Sequence, residues 1–461
     1  MAEKHIHTQN VRRYDVIIIG GGPAGATAAI TLAQKELSVL LLERACFPRF
    51  HIGESLLPYM TRLLEQMGLL EKIKQQHYVP KWGAEFSGGD GDFRRIDFTD
   101  QGPEYIHYAF QVERAHFDNV LLNSAKEAGA RVLEDAHVIR PLFQGERIVG
   151  VEYEYQGQRY REEASYVIDA SGRGGTIANF FKLRKPITRQ KMVGIFQHFG
   201  DFNEKNNPGF PGDIQVGNHS QGWIWAIPIK DDIISIGTVT RAEFLKRSSP
   251  EEVFERQIRR IPRIQQRLSG TTPLGKVRTE SDYCYYVDSV VGPGYFLVGD
   301  AGCYVDPIFS GGVFLAMTTG RKAAETIAMI LSGKISPEPA AKHYENFYKT
   351  GYDCYFRVMY SFYESNFNFD EQIAGMTFNH IESPEEPVPP RAGIPFNRSK
   401  YGVKFSRKWL ARLLCGDFWS EQNPLTSFLL SVGEWDTFAP FDRVFGCPIY
   451  PELAMEEVKV Y

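Results

Sequence analysis

The 461-residue sequence lacks any metal-type or disulfide-type cysteine spacing: Cys46, Cys284, Cys303, Cys354, Cys415 and Cys447 form no CxxC pair. A zinc site or a disulfide framework is not expected, and reduced thiols in a cytoplasmic protein are the default. Apolar runs are short. Ile17 to Ile19 sits in a stretch too brief to cross a bilayer, and the opening residues, MAEKHIHTQNVRR, contain no apolar signal core. There is no basic excess either: 52 Lys and Arg face 56 Asp and Glu, a net charge of −4. Neither a nucleic-acid nor a membrane partner is expected. No solenoid-type repeat and no low-complexity block interrupts the chain.

What is present fits a globular enzyme. Hydrophobic residues make up 43% and charged residues 23%, enough for a large core in a chain of this length. Aromatic residues reach 13%, many of them beyond position 340. An apolar substrate cavity would use them, and so would an ordinary core.

The chain opens on a buried-strand pattern, Tyr14-Asp-Val-Ile-Ile-Ile19, followed by glycines and a helical stretch to Ala33. A second apolar run, Val39 to Leu42, ends at Glu43. This is a βαβ unit of a parallel sheet. Helical patterns recur over 56–76, 114–129 and 312–332, the last after another strand, Tyr295 to Val298. The segments 77–110 and 181–280 read as strands and turns. They predict a mainly antiparallel substrate-side sheet inserted into a cofactor domain spanning 11–335. The remainder, 340–461, reads as a mainly helical cap with loops, including a Pro-rich extended stretch over 383–390.

The glycine loop Gly20-Gly-Gly22-Pro-Ala24-Gly25 satisfies GxGxxG with a strand before it, a helix after it and Glu43 closing the next strand. Gly20 permits the tight turn, Gly22 lets a pyrophosphate approach the backbone, and Gly25 lets the helix pack closely on the sheet. Glu43 is placed to accept ribose hydroxyls. A plain structural turn is the alternative, disfavoured by the strand–loop–helix context. The stretch Tyr295-Phe-Leu-Val-Gly-Asp300-Ala-Gly resembles the second fingerprint of FAD-dependent oxidoreductases, in which the aspartate holds a ribityl hydroxyl. Arg49 and Ser55 in FPRFHIGES, and Arg114 in VERAHFD, match stretches that line FAD in that superfamily, and Arg44 is a further candidate contact. Val167-Ile-Asp169-Ala-Ser-Gly172 looks like its strand-to-loop crossing. No second GxGxxG follows a strand, so the resemblance implies FADH2 supplied by a separate flavin reductase.

Three further elements resemble the flavin-dependent halogenases, of the phenol- and pyrrole-directed type. Gly222-Trp223-Ile-Trp225-Ala-Ile227-Pro228 fits the family's WxWxIP motif. A half-buried strand carrying two large side chains on one face is the plain reading and is compatible with it. Tyr304-Val-Asp-Pro307-Ile-Phe309-Ser310-Gly311-Gly312 matches FxxPxxSxG, with Tyr304 in place of phenylalanine. A helix start with Ser310 as cap would be its ordinary explanation. Lys81, in Val79-Pro-Lys81-Trp-Gly83-Ala-Glu85-Phe86, matches the K-x-G-x-x-F setting of the family's essential lysine; a lone strand lysine is otherwise usually solvated.

The resemblance covers roughly 12–335 and implies an α/β fold with a Rossmann-like FAD domain. It implies FADH2- and O2-dependent chlorination or bromination of an electron-rich aromatic, through a flavin hydroperoxide and hypohalous acid relayed by Lys81. Ser310 is the second catalytic candidate. Trp223, Trp225 and Phe309 would wall substrate from flavin, and Gly311 and Gly312 would hold a halide ion at the helix start. Pro307 and Gly312 join the cofactor contacts; no metal is expected. Tryptophan halogenases carry a glutamate just before the motif serine, and here that position is Phe309. The departure points to a phenolic or tyrosyl substrate in a natural-product pathway, free, peptide-bound or carrier-protein-tethered. Glu85 would share the face of Lys81 if no bulge intervenes. The rival readings are a flavin monooxygenase that hydroxylates an aromatic ring, a geranylgeranyl-reductase-like flavoenzyme, and a flavin-binding redox partner.

Overall fold

Strand β1 (Arg13–Ile19) lies between β2 (Val39–Leu42) and the strand Gln158–Asp169, in parallel register with both. Val16, Ile17 and Ile18 are fully buried, because helices cover both faces of a parallel sheet and leave no wet side for polar alternation. The computed structural model describes residues 12–364, except 90, 92, 104, 187–190, 207–209, 220 and 283, together with 415 and 416. Tyr295–Leu297 and Arg131–Leu133 extend the sheet in parallel on either side, and the hairpin Ala136–Gln144 and Arg147–Tyr155 adds an antiparallel ribbon. Helix α1 (Pro23–Ala33) starts at the glycine loop and packs on the helix Gly312–Leu331. At their crossing a Cβ on Gly320 would stand 2.4 Å from the Ala24 carbonyl oxygen.

The second sheet has seven strands, in the order Thr272–Asp282, Met192–Gly200, Ile233–Arg241, Gly222–Lys230, Ile214–His219, Gly83–Ser87 and Phe93–Asp97. It is antiparallel apart from the parallel pair Ile214–His219 and Gly83–Ser87. Its two faces enter different cores. Trp223, Trp225 and Ile227 join the core shared with the first sheet, while Ile224 and Ala226 join one completed by Val253, Phe254, Ile261 and Ile264. The chain is therefore an α/β protein: a Rossmann-like parallel sheet faced by a mainly antiparallel one.

Two sequence expectations need correction. The segment 181–280 is not strands and turns throughout, since Pro250–Ile258 and Pro262–Arg267 are helices. Ser249 starts the first of them through a capping box with Glu252, with Pro250 in the first turn. The helical pattern over 56–76 splits into Pro58–Gln66 and Leu70–Lys74 at Gly68, whose φ is +73°. Of the expected cap over 340–461, the described part is the helix Pro337–Glu364 with residues 415 and 416; the Pro-rich stretch lies outside the described residues. Among the described residues no helix is long and apolar enough to cross a membrane.

Candidate functional site

The glycine loop is built as a cradle. Gly20 has φ +101°, and a Cβ there would meet the Ala170 carbonyl oxygen at 2.4 Å. A Cβ on Gly25 would stand 1.9 Å from the Gly20 oxygen, so only glycine lets α1 approach the loop. At Gly22 the same test meets only Arg49 Nη2, at 3.4 Å, which leaves the loop open beneath a guanidinium. Glu43 is buried; its Oε2 accepts from the Gly21 N–H at 2.6 Å and Oε1 from the Ala45 N–H at 2.8 Å. A carboxylate has further lone pairs for a ligand. Arg44 is exposed and points past this loop, toward Gly174.

Arg49 pairs with the buried Asp118 at 3.1 Å. Arg114 does so more completely, through Nε and Nη2 at 2.8 and 2.9 Å, while its Nη1 donates to the Ile52 and Gly53 carbonyl oxygens. Arg114 is 4% exposed, so it braces the 52–53 turn from beneath. Asp300 sits in the turn Gly299–Ala301 after the strand Tyr295–Leu297. Burial pushes its carboxyl up to about 6, against the opposing pull of Arg173, Arg114 and Arg184.

Lys81 lies on the short strand Val79–Lys81, paired with Ala109–Gln111. It is 2% exposed, and its Nζ donates to Ser55 Oγ and to the Leu56 carbonyl oxygen, each at 2.9 Å. The Phe98 ring lies 5.3 Å away. Burial lowers the ammonium to about 8, although nearby Cys415 and Asp213 pull the other way. Asp213 fixes the ribbon: its Oδ1 accepts from the Trp82 N–H at 3.0 Å and its Oδ2 from Arg95 Nε at 2.7 Å. A cavity of about 230 Å³ is lined by Pro58, Tyr59, Arg62, Glu65, Tyr105 and Ile106.

Trp223 and Trp225 are buried side by side on one face of Gly222–Lys230, ring centroids 5.6 Å apart. Cross-strand register places Phe86, Val216, Trp225, Gly237 and Phe196 in one row. Phe309 reaches the near end, 6.4 Å from Phe86, and Phe50 stacks on Phe196 at the far end, at 5.9 Å. Trp225 Nε1 donates to Ser235 Oγ at 3.3 Å. The stretch 49–55 therefore touches three parts of the site: Arg49 at the glycine loop, Phe50 on the aromatic row, and Ser55 on Lys81.

The turn ahead of the helix Gly312–Leu331 is held by Asp306 Oδ1, which accepts from the Ile308 N–H, and by the Ser310 N–H, which donates to the Pro307 oxygen. Ser310 is half-buried with φ +57° and is not the helix cap; Gly311 occupies that position without a side-chain cap. The Gly311 N–H faces the Tyr355 hydroxyl at 3.4 Å, whereas Gly312 is exposed with open space at its Cβ position. The unsatisfied first turn of the helix thus faces outward at Gly312.

Glu85 does not accompany Lys81. The chain breaks at Trp82, and Glu85 belongs to the seven-stranded sheet. There it is fully buried and bound by Arg263 through two hydrogen bonds of 2.9 and 2.6 Å. Sequence reasoning also missed a tyrosine ladder on the helix Pro337–Glu364. Tyr344, Tyr348 and Tyr355 donate to the carbonyl oxygens of Leu297, Gly299 and Asp306 at 2.7, 2.7 and 3.0 Å. Their spacing, with Tyr352 between, is one helical face and was readable.

An FAD binding domain family model matches residues 13–345. A tryptophan 2-halogenase of Chondromyces crocatus is 33% identical over 76% of this chain and 68% of its own length. The chain belongs to the flavin-dependent halogenases. Another member, the 1H-pyrrole-2-carbonyl-[peptidyl-carrier protein] chlorinase of Pseudomonas fluorescens, is 31% identical over 77% of this chain and 85% of its own. Among solved structures, the flavin-dependent brominase Bmp2 superposes with a TM-score of 0.76 at 26% identity, over 92% of this halogenase and 99% of that chain.

Proposed function

We propose that this halogenase chlorinates or brominates a phenolic or tyrosyl ring, with Lys81 delivering the halogen. The observation that carries the reading is the burial of Lys81 with its amine held between Ser55 and Leu56. The residues fit FAD: the cradle excludes a Cβ at Gly20 and Gly25 but stays open at Gly22 beneath Arg49, and the buried Glu43 and half-buried Asp300 are carboxyls where its riboses and ribityl chain would lie. When bound, reduced FAD with dioxygen supplies the oxidising equivalent that converts halide to hypohalous acid. Gly20, Gly22, Ala24, Gly25 and Arg49 bind its phosphates, and the first turn at Gly312 receives the halide. Trp223, Trp225 and Phe309 exclude water and keep the aromatic substrate off the ring system. Lys81, its ammonium lowered to about 8 by burial, offers a neutral amine in part of the population at mildly alkaline pH, as halogen transfer at a fixed position requires.

The substrate class rests on Phe309, which stands where tryptophan halogenases carry a glutamate; a phenol activates its own ring by losing a proton. One of the matched relatives acts on a carrier-bound acyl group by its name, so a tethered substrate belongs in the test. Reduced flavin comes from a separate reductase, in keeping with the single dinucleotide fingerprint. The test supplies FADH2, oxygen, chloride or bromide, and free, peptide-bound and carrier-tethered phenols. A product with the halogen isotope pattern is expected from a phenol. Halogenation of tryptophan alone would overturn the phenolic reading, and halide-independent hydroxylation would overturn delivery from Lys81.

A further inference from the structure

Glu54 and His198 form a pair that the reaction scheme above does not use. Glu54 Oε1 lies 2.7 Å from His198 Nε2, while Glu54 is 1% exposed and its Oε2 has no hydrogen-bond partner among the described residues. A carboxylate this deeply buried is costly unless a proton or a cation accompanies it. A 2.7 Å N···O contact holds one proton between the two groups. His198 retains 22% side-chain exposure, so the pair runs from a wet end to a dry one.

Its place in the fold is specific. His198 pairs across the strands with Ser235, and Ser235 pairs with Ile227, on the same sheet face as Trp225. Ser235 Oγ accepts the Trp225 indole N–H. The Phe50 ring lies 5.9 Å from the His198 ring, and Glu54 immediately precedes Ser55, the acceptor for Lys81. In an extended segment consecutive side chains point to opposite sides. Ser55 therefore serves the lysine, and Glu54 serves the face of the aromatic wall that Phe50 covers.

Halogenation creates a proton demand on that side. An aromatic C–H, a halide, one proton, dioxygen and two-electron-reduced flavin give the carbon–halogen bond, oxidised flavin and two waters. Dioxygen takes up four electrons, two from reduced flavin and two from the halide and aromatic C–H as the carbon–halogen bond forms. The proton that balances the halide has to come from solvent, into a chamber from which the wall excludes water. We propose that the Glu54–His198 pair is the proton inlet of the cofactor side, taking a proton at His198 and presenting it from Glu54. This rests on the halogenase reading above. The titratable and charged groups around the pair are Arg278, whose guanidinium lies 3.8 Å from the Phe50 ring centroid, Arg114 on the Ile52 and Gly53 carbonyls, Lys81 beyond Ser55, and His51, which burial lowers to about 4 and so leaves neutral.

The test compares wild type, His198→Gln and Glu54→Gln, each reconstituted with FAD. In the FAD-free wild-type protein, proton NMR should show a far-downfield ring N–H from His198 that disappears in Glu54→Gln. FAD affinity and Tm should stay near wild type in His198→Gln, because glutamine can still hydrogen-bond Glu54. Halogenation by His198→Gln should fall on the order of 10²-fold at alkaline pH, with hydrogen peroxide released instead and partial recovery toward acid pH or with added imidazole. Wild-type halogenation matched by His198→Gln across the pH range would overturn the inlet. So would loss of FAD binding in both variants, which would make the pair an anchor. Failure of wild type to halogenate any substrate would instead sink the reading on which the inlet rests.

Discussion

Trp225 lies flat across Gly237 on the neighbouring strand: a Cβ added there would stand 2.1 Å from the indole ring. The wall therefore depends on a residue with no side chain as much as on the two tryptophans. Gly237→Ala must lift the indole from the sheet, at a cost of about 1–3 kcal/mol for overpacking. A lower Tm is expected, together with more hydrogen peroxide per halogenated product, because the aromatic barrier is displaced. Calorimetry and a peroxide-to-product ratio check both parts.

Gly25 carries the corresponding burden at the cradle. Gly25→Ala would set a Cβ 1.9 Å from the Gly20 carbonyl oxygen and push α1 off the loop. FAD affinity, read by quenching of flavin fluorescence, should drop by at least about tenfold, roughly 1.4 kcal/mol. Gly21→Ala is the milder control, since its nearest neighbour is the Leu122 side chain at 3.0 Å.

Burial of Lys81 opposes stability at neutral pH. Its ammonium titrates at about 8 in the folded chain, against 10.5 for the unperturbed group, so below pH 8 the folded state carries a penalty of roughly 3 kcal/mol by linkage. Between pH 8 and 10.5 the unfolded state binds more protons, and wild-type stability rises with pH. Lys81→Met removes that dependence, though it also removes the hydrogen bonds to Ser55 and Leu56, each worth about 1 kcal/mol. Lys81→Met should be at least as stable as wild type at pH 7, and its advantage should shrink above pH 8. Denaturation curves at pH 7 and pH 9.5 decide it.

Glu85 should behave as a structural group. Glu85→Gln leaves Arg263 facing a neutral amide inside the sheet, and breaking a buried pair of this kind costs about 3–5 kcal/mol. The expected signature is a lower Tm with an unchanged pH profile of halogenation in the folded fraction. A displaced pH profile would return Glu85 to the chemistry.

The glycine loop, the Trp-x-Trp strand and the 304–312 turn were legible because each depends on a local pattern: a backbone that admits no Cβ, alternation on one strand, a turn entering a helix. The two helices at 250–267 were legible too, in Ser249, Pro250 and Glu252, but the surrounding strands hid them. The partners that complete the site were not legible. Ser55 and Lys81 meet across 26 positions, Glu54 and His198 across 144, and Glu85 and Arg263 across 178. Such pairs depend on how two sheets face each other, which no window of sequence records. The position of Glu85 was left conditional for a related reason: alternation puts it on the face of Lys81 only within one strand, and the chain changes sheets at Trp82.

Delivery of halogen from Lys81 is decided by comparing wild type with a variant that lacks the amine. Wild type and Lys81→Met are given the same FADH2, oxygen, bromide and phenol, and brominated product and hydrogen peroxide are measured together. Both proteins should oxidise reduced flavin at similar rates. Wild type should yield the brominated phenol, and Lys81→Met should lose at least about 10²-fold in product, a loss of some 2.7 kcal/mol in transition-state stabilisation. Equal yields of the same regioisomer from both proteins would contradict the account.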